Sequence, residues 1–365
     1  MPWTEFAIYL YFLTLSYMLG IGATALVKRL SLRWGFFDHP GERKVHHKPM
    51  PLLGGVAIFA VFITVIAVHV LALYLLGYLG DRWIQDFLLD TLGEHSQSKL
   101  IGILLGALII FVLGLVDDLV SLTPWVKLFG QIAAAVVLVM FGNRIEVFVL
   151  HNYFLSAAVT ILWILVITNA MNFLDNMDGL CGGISVIAAF SFFLCLQGGD
   201  DQLTRVLLMI FAGSVGGFLY HNLNPARIFM GDAGSMFNGF FLATIAVIGT
   251  FHVEGLPSRI AVASPLLALS VPLFDIISVV YIRMRNGESI MKGDKRHFSH
   301  RLVDLGMTPG QAVAFIYLVA AVVGLGGALL PKMDVHGTVI ILSQTIGIFM
   351  LIVVLMHVVK RGEQR

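Results

Sequence analysis

Leu100 to Asp118 reads LIGILLGALIIFVLGLVDD, an uncharged apolar run, Leu100–Val116, that ends on two adjacent carboxylates. A helix needs about 20 apolar residues to cross a bilayer, so the run reads as a membrane span. The ending is unusual. A helix C-terminus disfavours negative charge, and neighbouring carboxylates repel unless a cation or proton donor stands nearby. A solvated helix end is the plain reading of Asp117 and Asp118. A functional pair is the sharper one.

The same pattern extends along the chain. Of 365 residues, 58% are hydrophobic and 12% charged, against roughly 25% charged in soluble domains. The net charge of +1 lacks the basic field of a nucleic-acid binder. Cys181 and Cys195 both lie in apolar stretches and imply no disulfide framework. The apolar runs predict eleven spans: Trp3–Val27, Leu52–Leu79, Leu100–Val116, Val126–Phe141, Phe154–Met171, Leu180–Leu196, Val206–Tyr220, Met236–Thr250, Ile260–Ile282, Gln311–Leu330 and Val339–Val359. The expected fold is an all-α, polytopic integral membrane protein with a single domain. The first run is too long for a signal-peptide core and reads as a retained span. With the N-terminus outside, the inner segments hold 17 of the 23 Lys and Arg, which places the C-terminus in the cytoplasm. Residues 81–99 carry Trp83, Ile84, Phe87 and Leu88 at helical spacing, an expected interfacial helix.

This topology gathers five polar segments on the cytoplasmic face. Asn169 to Gly179 reads NAMNFLDNMDG, with Asn172, Asp175 and Asp178 three apart on one drifting helical face. Such hard oxygen donors suit a Mg²⁺–diphosphate complex; the plain alternative is an Asn/Asp-rich turn. Gly231-Asp232-Ala233-Gly234-Ser235 places one Asp between two glycines before an apolar helix, whose free N–H groups could face phosphate. His297-Phe298-Ser299-His300-Arg301 reads as an anion clamp rather than a zinc fragment, since its available partners are carboxylates. Arg43, His46, His47 and Lys48 precede Met50–Gly55 and suit anionic groups, as any basic juxtamembrane loop would. The Gly54-Gly55 pair suits close helix packing. Asp275, after Val271-Pro272-Leu273-Phe274, lies in an apolar span, where an acid suggests function or support. Pro272 would kink that span around it.

The ordered set RKVHHKPMPLLGG, Asp117-Asp118, NAMNFLDNMDGL, FMGDAGS, PLFD and HFSHRL resembles the polyprenyl-phosphate N-acetylhexosamine-1-phosphate transferase superfamily, of glycosyltransferase family 4 type, over nearly the whole chain. The resemblance implies ten to eleven helices and a cytoplasmic site in a bacterial inner membrane. It implies that undecaprenyl phosphate attacks a UDP-N-acetylhexosamine, giving UMP and a lipid diphosphate-sugar that starts a cell-envelope polysaccharide. Mg²⁺ is implied, with Mn²⁺ as a substitute, and a homodimer is compatible. By the same resemblance Asp117, Asp118 and Asp232 are catalytic, and Asp232, Asn172 and Asp175 hold the metal. By it Asn172, Asp175, Asp178, His297 and His300 bind substrate; on their own chemistry Asn169, Arg301, Arg43, His46, His47 and Lys48 join them as expected substrate contacts, with Asp275, Gly231 and Gly234 as support. MPLLGG and HFSH depart from the muramoyl-pentapeptide branch and favour the N-acetylglucosamine branch, although Asn176 stands where that branch usually has glycine.

The physics agrees. A phosphate monoester has its second pKa at about 6, so the lipid nucleophile needs little deprotonation. Screening its approach to a diphosphate is the harder task. A phospho-N-acetylmuramoyl-pentapeptide transferase and a lipid or solute transporter are the alternatives. A transporter would place its acids near the bilayer midplane, where only Asp275 falls.

Overall fold

Inside a bilayer, backbone N–H and C=O groups must find partners within the protein, and in this chain the apolar runs satisfy them as helices. The computed structural model describes residues 3–38, 49–78, 94–145, 152–196, 202–249, 263–288 and 296–362. Within them lie α1 (Trp3–Trp34), α2 (Gly54–Tyr78), α3 (Glu94–Val120), α4 (Pro124–Met140), α5 (Tyr153–Leu174), α6 (Leu180–Cys195) and α7 (Gln202–Asn222). There follow α8 (Gly231–Ile248), α9 (Ser264–Ala268), α10 (Ser270–Arg285), α11 (Phe298–Asp304), α12 (Pro309–Leu329) and α13 (Val335–Gly362). Strands β1 (Phe37–Asp38) and β2 (Met50–Pro51) pair antiparallel, Phe37 opposite Pro51.

Eight of these helical stretches are long and apolar enough to cross a membrane, and α4 and α6 are shorter apolar helices. The chain is an all-α, polytopic membrane protein. Its centre is α7 and α8: 72% of the apolar window of each is buried, against 17% for α1 and 11% for α13. The exposed Leu, Ile, Val and Phe of α1 and α13 suit contact with lipid. Small residues let backbones approach in such a bundle. On α7, a Cβ at Gly217 would lie 2.5 Å from the Tyr17 carbonyl of α1. A Cβ at Gly114 of α3 would lie 2.6 Å from Ala233 of α8. Gly55 of α2 abuts the backbone of Gly234, also on α8. Cys181 and Cys195 are free and buried.

The helices outrun the apolar stretches that announced them. α3 continues past Val116 to Val120, α5 past Met171 to Leu174, and α8 starts at Gly231 rather than Met236. Hydropathy reports where an apolar run stops, whereas a polar residue can prolong the hydrogen-bond ladder. Asp117, Asp118, Asn172 and Asp232 therefore sit on rigid helix ends, not in loops. The run Ile260–Ile282 is not one helix over its described part. It is α9 and α10, separated at Leu269. Pro272 has no N–H to donate to Ala268, so the ladder is interrupted there. Residues 39–48 and 79–93 fall outside the described residues, and with them Arg43, His46, His47, Lys48 and most of the expected interfacial helix.

Candidate active site

The C-terminal end of α3, the start of α4 and the first turn of α8 meet around one cation. Lys127 Nζ pairs with the Asp117 carboxylate and donates to Asp232 Oδ2 at 2.6 Å. Asp117 also accepts the Leu122 amide at 2.6 Å, which holds its carboxylate at the α3–α4 turn. Asp118 faces α8 instead. Its Oδ1 accepts Asp232 N at 2.7 Å and its Oδ2 accepts Ala233 N at 3.0 Å. It thus serves, from another helix, the free amides that every helix N-terminus leaves. Gly231 permits this approach: its φ is 75°, and a Cβ there would collide with the Asp118 carboxylate.

Lys127 is a site residue that the sequence reading passed over. It is the sole basic residue of residues 117–127 and opens an apolar helix. A cation is disfavoured at a helix N-terminus. That mismatch was the available signal that acidic partners stand nearby.

The Asn172–Asp178 stretch divides its labour. Asn172, on α5, donates to Ser235 Oγ at 2.9 Å, and its amide helps hold the Asp232 carboxyl below its ordinary value. Asp175 is the C-cap of α5. Asp178 turns to the loop before α8, accepting Asn224 Nδ2 at 3.1 Å and Ala226 N at 3.0 Å. Gly179, with φ 78°, donates its N–H to Asn222 and accepts the Tyr317 hydroxyl at 2.5 Å. Asn169 lies one turn deeper on α5, donating to Gln131 Oε1 at 2.7 Å. It forms a polar pair between α5 and α4.

The histidine segment docks on α10 and on this same stretch. Asp275 is fully buried, its Oδ2 2.8 Å from His297 Nδ1, while its Oδ1 accepts Phe298 N at 2.5 Å. The carboxylate therefore sets the orientation of His297 and receives the first free amide of α11. Ser299 donates to Asn176 Oδ1 at 2.6 Å, and the His297 ring lies 5.9 Å from that of Phe173. Asn176, where glycine was the family expectation, thus ties the two segments together. His300 lies 6.4 Å ring to ring from His297, and Arg301 donates to Ser278 at 2.6 Å.

Carboxylates dominate the electrostatics. Burial pushes the Asp175 carboxyl up to about 8, with Asp232, Asp118, Asp178 and Asp38 adding like charge. A second cation would relieve that crowding. Among the described residues no three His, Cys, Asp or Glu side chains form a ready metal cage. Mg²⁺ does not demand one, since it keeps waters and takes one or two carboxylates with substrate phosphates. Asp232, Asp175 and the Asn172 amide are hard oxygen donors of the right kind, so the donor set fits.

The family model Glycosyl transferase family 4 matches residues 100–250, the stretch that carries Asp117, Lys127, Asp175 and Asp232. A Bacillus subtilis protein named probable undecaprenyl-phosphate N-acetylglucosaminyl 1-phosphate transferase is 34% identical over 315 residues, covering 84% of this chain and 80% of its own. This chain belongs to glycosyl transferase family 4. Other relatives carry kindred names. The decaprenyl-phosphate N-acetylglucosaminephosphotransferase of Mycolicibacterium smegmatis is 32% identical over 365 residues, 93% of this chain and 86% of that protein. The undecaprenyl-phosphate alpha-N-acetylglucosaminyl 1-phosphate transferase of Escherichia coli (strain K12) is 28% identical over 320 residues, 83% and 78% of the two chains. Within family 4 the chain sides with the polyprenyl-phosphate N-acetylglucosamine-1-phosphate transferases.

Proposed function

We propose that this family 4 protein transfers N-acetylglucosamine 1-phosphate from UDP-N-acetylglucosamine to undecaprenyl phosphate. The observation that carries the reading is Lys127 held between Asp117 and Asp232, beside Asp175. An acidic cluster with a fixed cation suits a substrate that brings its own negative charge and a metal. The lipid phosphate, with a second pKa of about 6, is mostly dianionic at neutral pH. One of its oxygens forms a bond to the sugar-bearing phosphorus. The bond from that phosphorus to the bridging oxygen breaks, and its electron pair leaves with UMP. Lys127 screens the two approaching anions, and Asp117 and Asp118 hold Lys127 and the α8 N-terminus in place. His297, His300 and Arg301 donate to phosphate oxygens, with His297 oriented by Asp275. Arg43, His46, His47 and Lys48 add positive charge for the lipid phosphate. Mg²⁺, or Mn²⁺ in its stead, would be held by Asp232, Asp175 and Asn172 and would neutralise diphosphate charge.

The site faces the cytoplasm of a bacterial inner membrane, beneath eleven spans with the N-terminus outside. The product starts a cell-envelope polysaccharide. The test is purified protein in detergent with undecaprenyl phosphate and a panel of UDP-sugars, scored for UMP. UDP-N-acetylglucosamine should be consumed and a chelator should stop it; turnover of UDP-muramoyl-pentapeptide alone would overturn the reading. Reporters after Arg365 and near Gly198 should read cytoplasmic and external respectively, and agreement between them would break the topology.

A further inference from the structure

Among the described residues, two non-glycine positions hold left-handed backbone: Leu53, at φ 78°, and Ser121, at φ 52°. L side chains adopt this region rarely, and bulky ones least. Such backbone persists where the surroundings over-determine it, and it gathers at functional sites. Here both residues lie in turns bonded to the segments that carry the acidic cluster.

Leu53 ends the connection from β2 to α2. The two amides after it donate across the molecule, Gly54 N to Phe229 O at 2.9 Å and Gly55 N to Met230 O at 2.8 Å. Phe229 N returns a bond to Pro51 O at 2.9 Å. Three backbone bonds thus fix the chain immediately before Gly231, from which Asp232 projects. Ser121 follows the acidic pair. Its N–H donates to the Asp117 carbonyl at 2.9 Å, and the next amide, Leu122, donates to the Asp117 carboxylate at 2.6 Å. The turn then opens α4, whose Lys127 reaches back to Asp117 and Asp232. One left-handed residue thereby sets where Asp232 stands. The other sets where Lys127 starts and which way Asp117 points.

We propose that Leu53 and Ser121 are positioning residues, whose left-handed backbone aligns Asp232 and Lys127 on the substrate phosphates. This rests on the phosphotransferase reading above. Each acts through the backbone amides at and after it. Glycine would reach the same backbone, at a greater loss of chain entropy on folding.

The test replaces each position in turn with Gly, Asn, Ala and Val and measures kcat and KM for the UDP-sugar. If backbone conformation matters, kcat follows tolerance of left-handed φ. Gly and Asn should stay within about threefold of wild type, Ala should fall below them, and Val should drop about tenfold or more, with KM changed little. An order that follows side-chain hydrophobicity at Leu53, Val highest and Asn and Gly lowest, overturns the assignment. So does a flat series. If the Val variants fail to fold, the Asn-over-Ala ranking still decides. Hydrogen exchange of the 229–233 and 122–127 segments provides a readout without substrate. Leu53→Val should raise exchange in the first and Ser121→Val in the second, while the Gly variants leave both protected. Unchanged protection in the Val variants overturns the proposal. A wild type that consumes no UDP-sugar, with exchange following the left-handed ranking, breaks the functional reading and leaves the positioning role standing.

Discussion

The acidic cluster and the histidine segment solve the same problem with opposite electrostatics. In each, a carboxylate on one helix caps another helix beside a functional side chain: Asp118 receives the amides of Asp232 and Ala233, and Asp275 receives that of Phe298. Around Asp118 the charges crowd, with Asp117, Asp175 and Asp232 close together and one Lys127 among them. Around Asp275 the partners are His297, the Phe298 amide and the charge of Arg301, and both Asp275 and His297 are buried. Like charges held together repel, and persist where a cation is to be received. A single buried carboxylate on a histidine ring fixes an orientation instead. The first region is built to gather charge and the second to aim a ring.

Removing the shared cation should separate the two regions most sharply. Lys127→Met leaves Asp117 and Asp232 facing each other, and activity is expected to fall by about a hundredfold or more. Lys127 is 27% exposed, so the stability loss should stay below the roughly 3–5 kcal/mol of breaking a fully buried pair. Wild-type UMP release from this variant would remove Lys127 from the site.

Next in size is Asp275→Asn. The amide can still accept from Phe298 N, yet offers His297 no anion, and kcat is expected to fall about ten- to a hundredfold with the Mg²⁺ requirement unchanged. A shift in the Mg²⁺ titration instead would mean that the two regions are one electrostatic unit. Asp178→Ala should cost about 1–3 kcal/mol through its lost bonds to Asn224 and Ala226, read as a lower unfolding midpoint. A weaker Mg²⁺ requirement at unchanged stability would move Asp178 into the metal site.

The pH dependence of stability separates Asp175 from the rest of the cluster. Its carboxyl keeps a proton in the folded state up to about 8, whereas the unfolded chain releases it near 3.8. The folded state therefore binds more protons between these values, and wild-type stability falls as pH rises through that window. Asp175→Asn removes the group. Its unfolding midpoint, in the absence of divalent ions, should gain on wild type from about pH 5 to pH 8 and match it near pH 4. A gain independent of pH would show that packing, not proton binding, separates the two proteins.

How far the sequence could be read differs between these regions as well. Asp117, Asp118 and Asp232 announced themselves because carboxylates at the ends of apolar runs are costly wherever the chain folds. Asp275 did so for the same reason, but its partner 22 residues away could not be named. Lys127 was invisible, since a single Lys near a span end is ordinary until two carboxylates converge on it. Asn169 and Asp178 carry the same residue types, and their bonds to Gln131 and to the loop before α8 could not be read from composition.

Hydropathy and charge, which act locally and additively along the chain, were enough to make this an all-α, polytopic membrane protein. The motif order was enough to suggest the family. Only the tertiary structure decided the pairings: which carboxylate holds Lys127, which caps α8, which orients His297, and that Leu53 and Ser121 are held left-handed. Those outcomes depend on distances between residues far apart in sequence, and a hydrogen bond exists or not within a few tenths of an ångström that no linear pattern encodes.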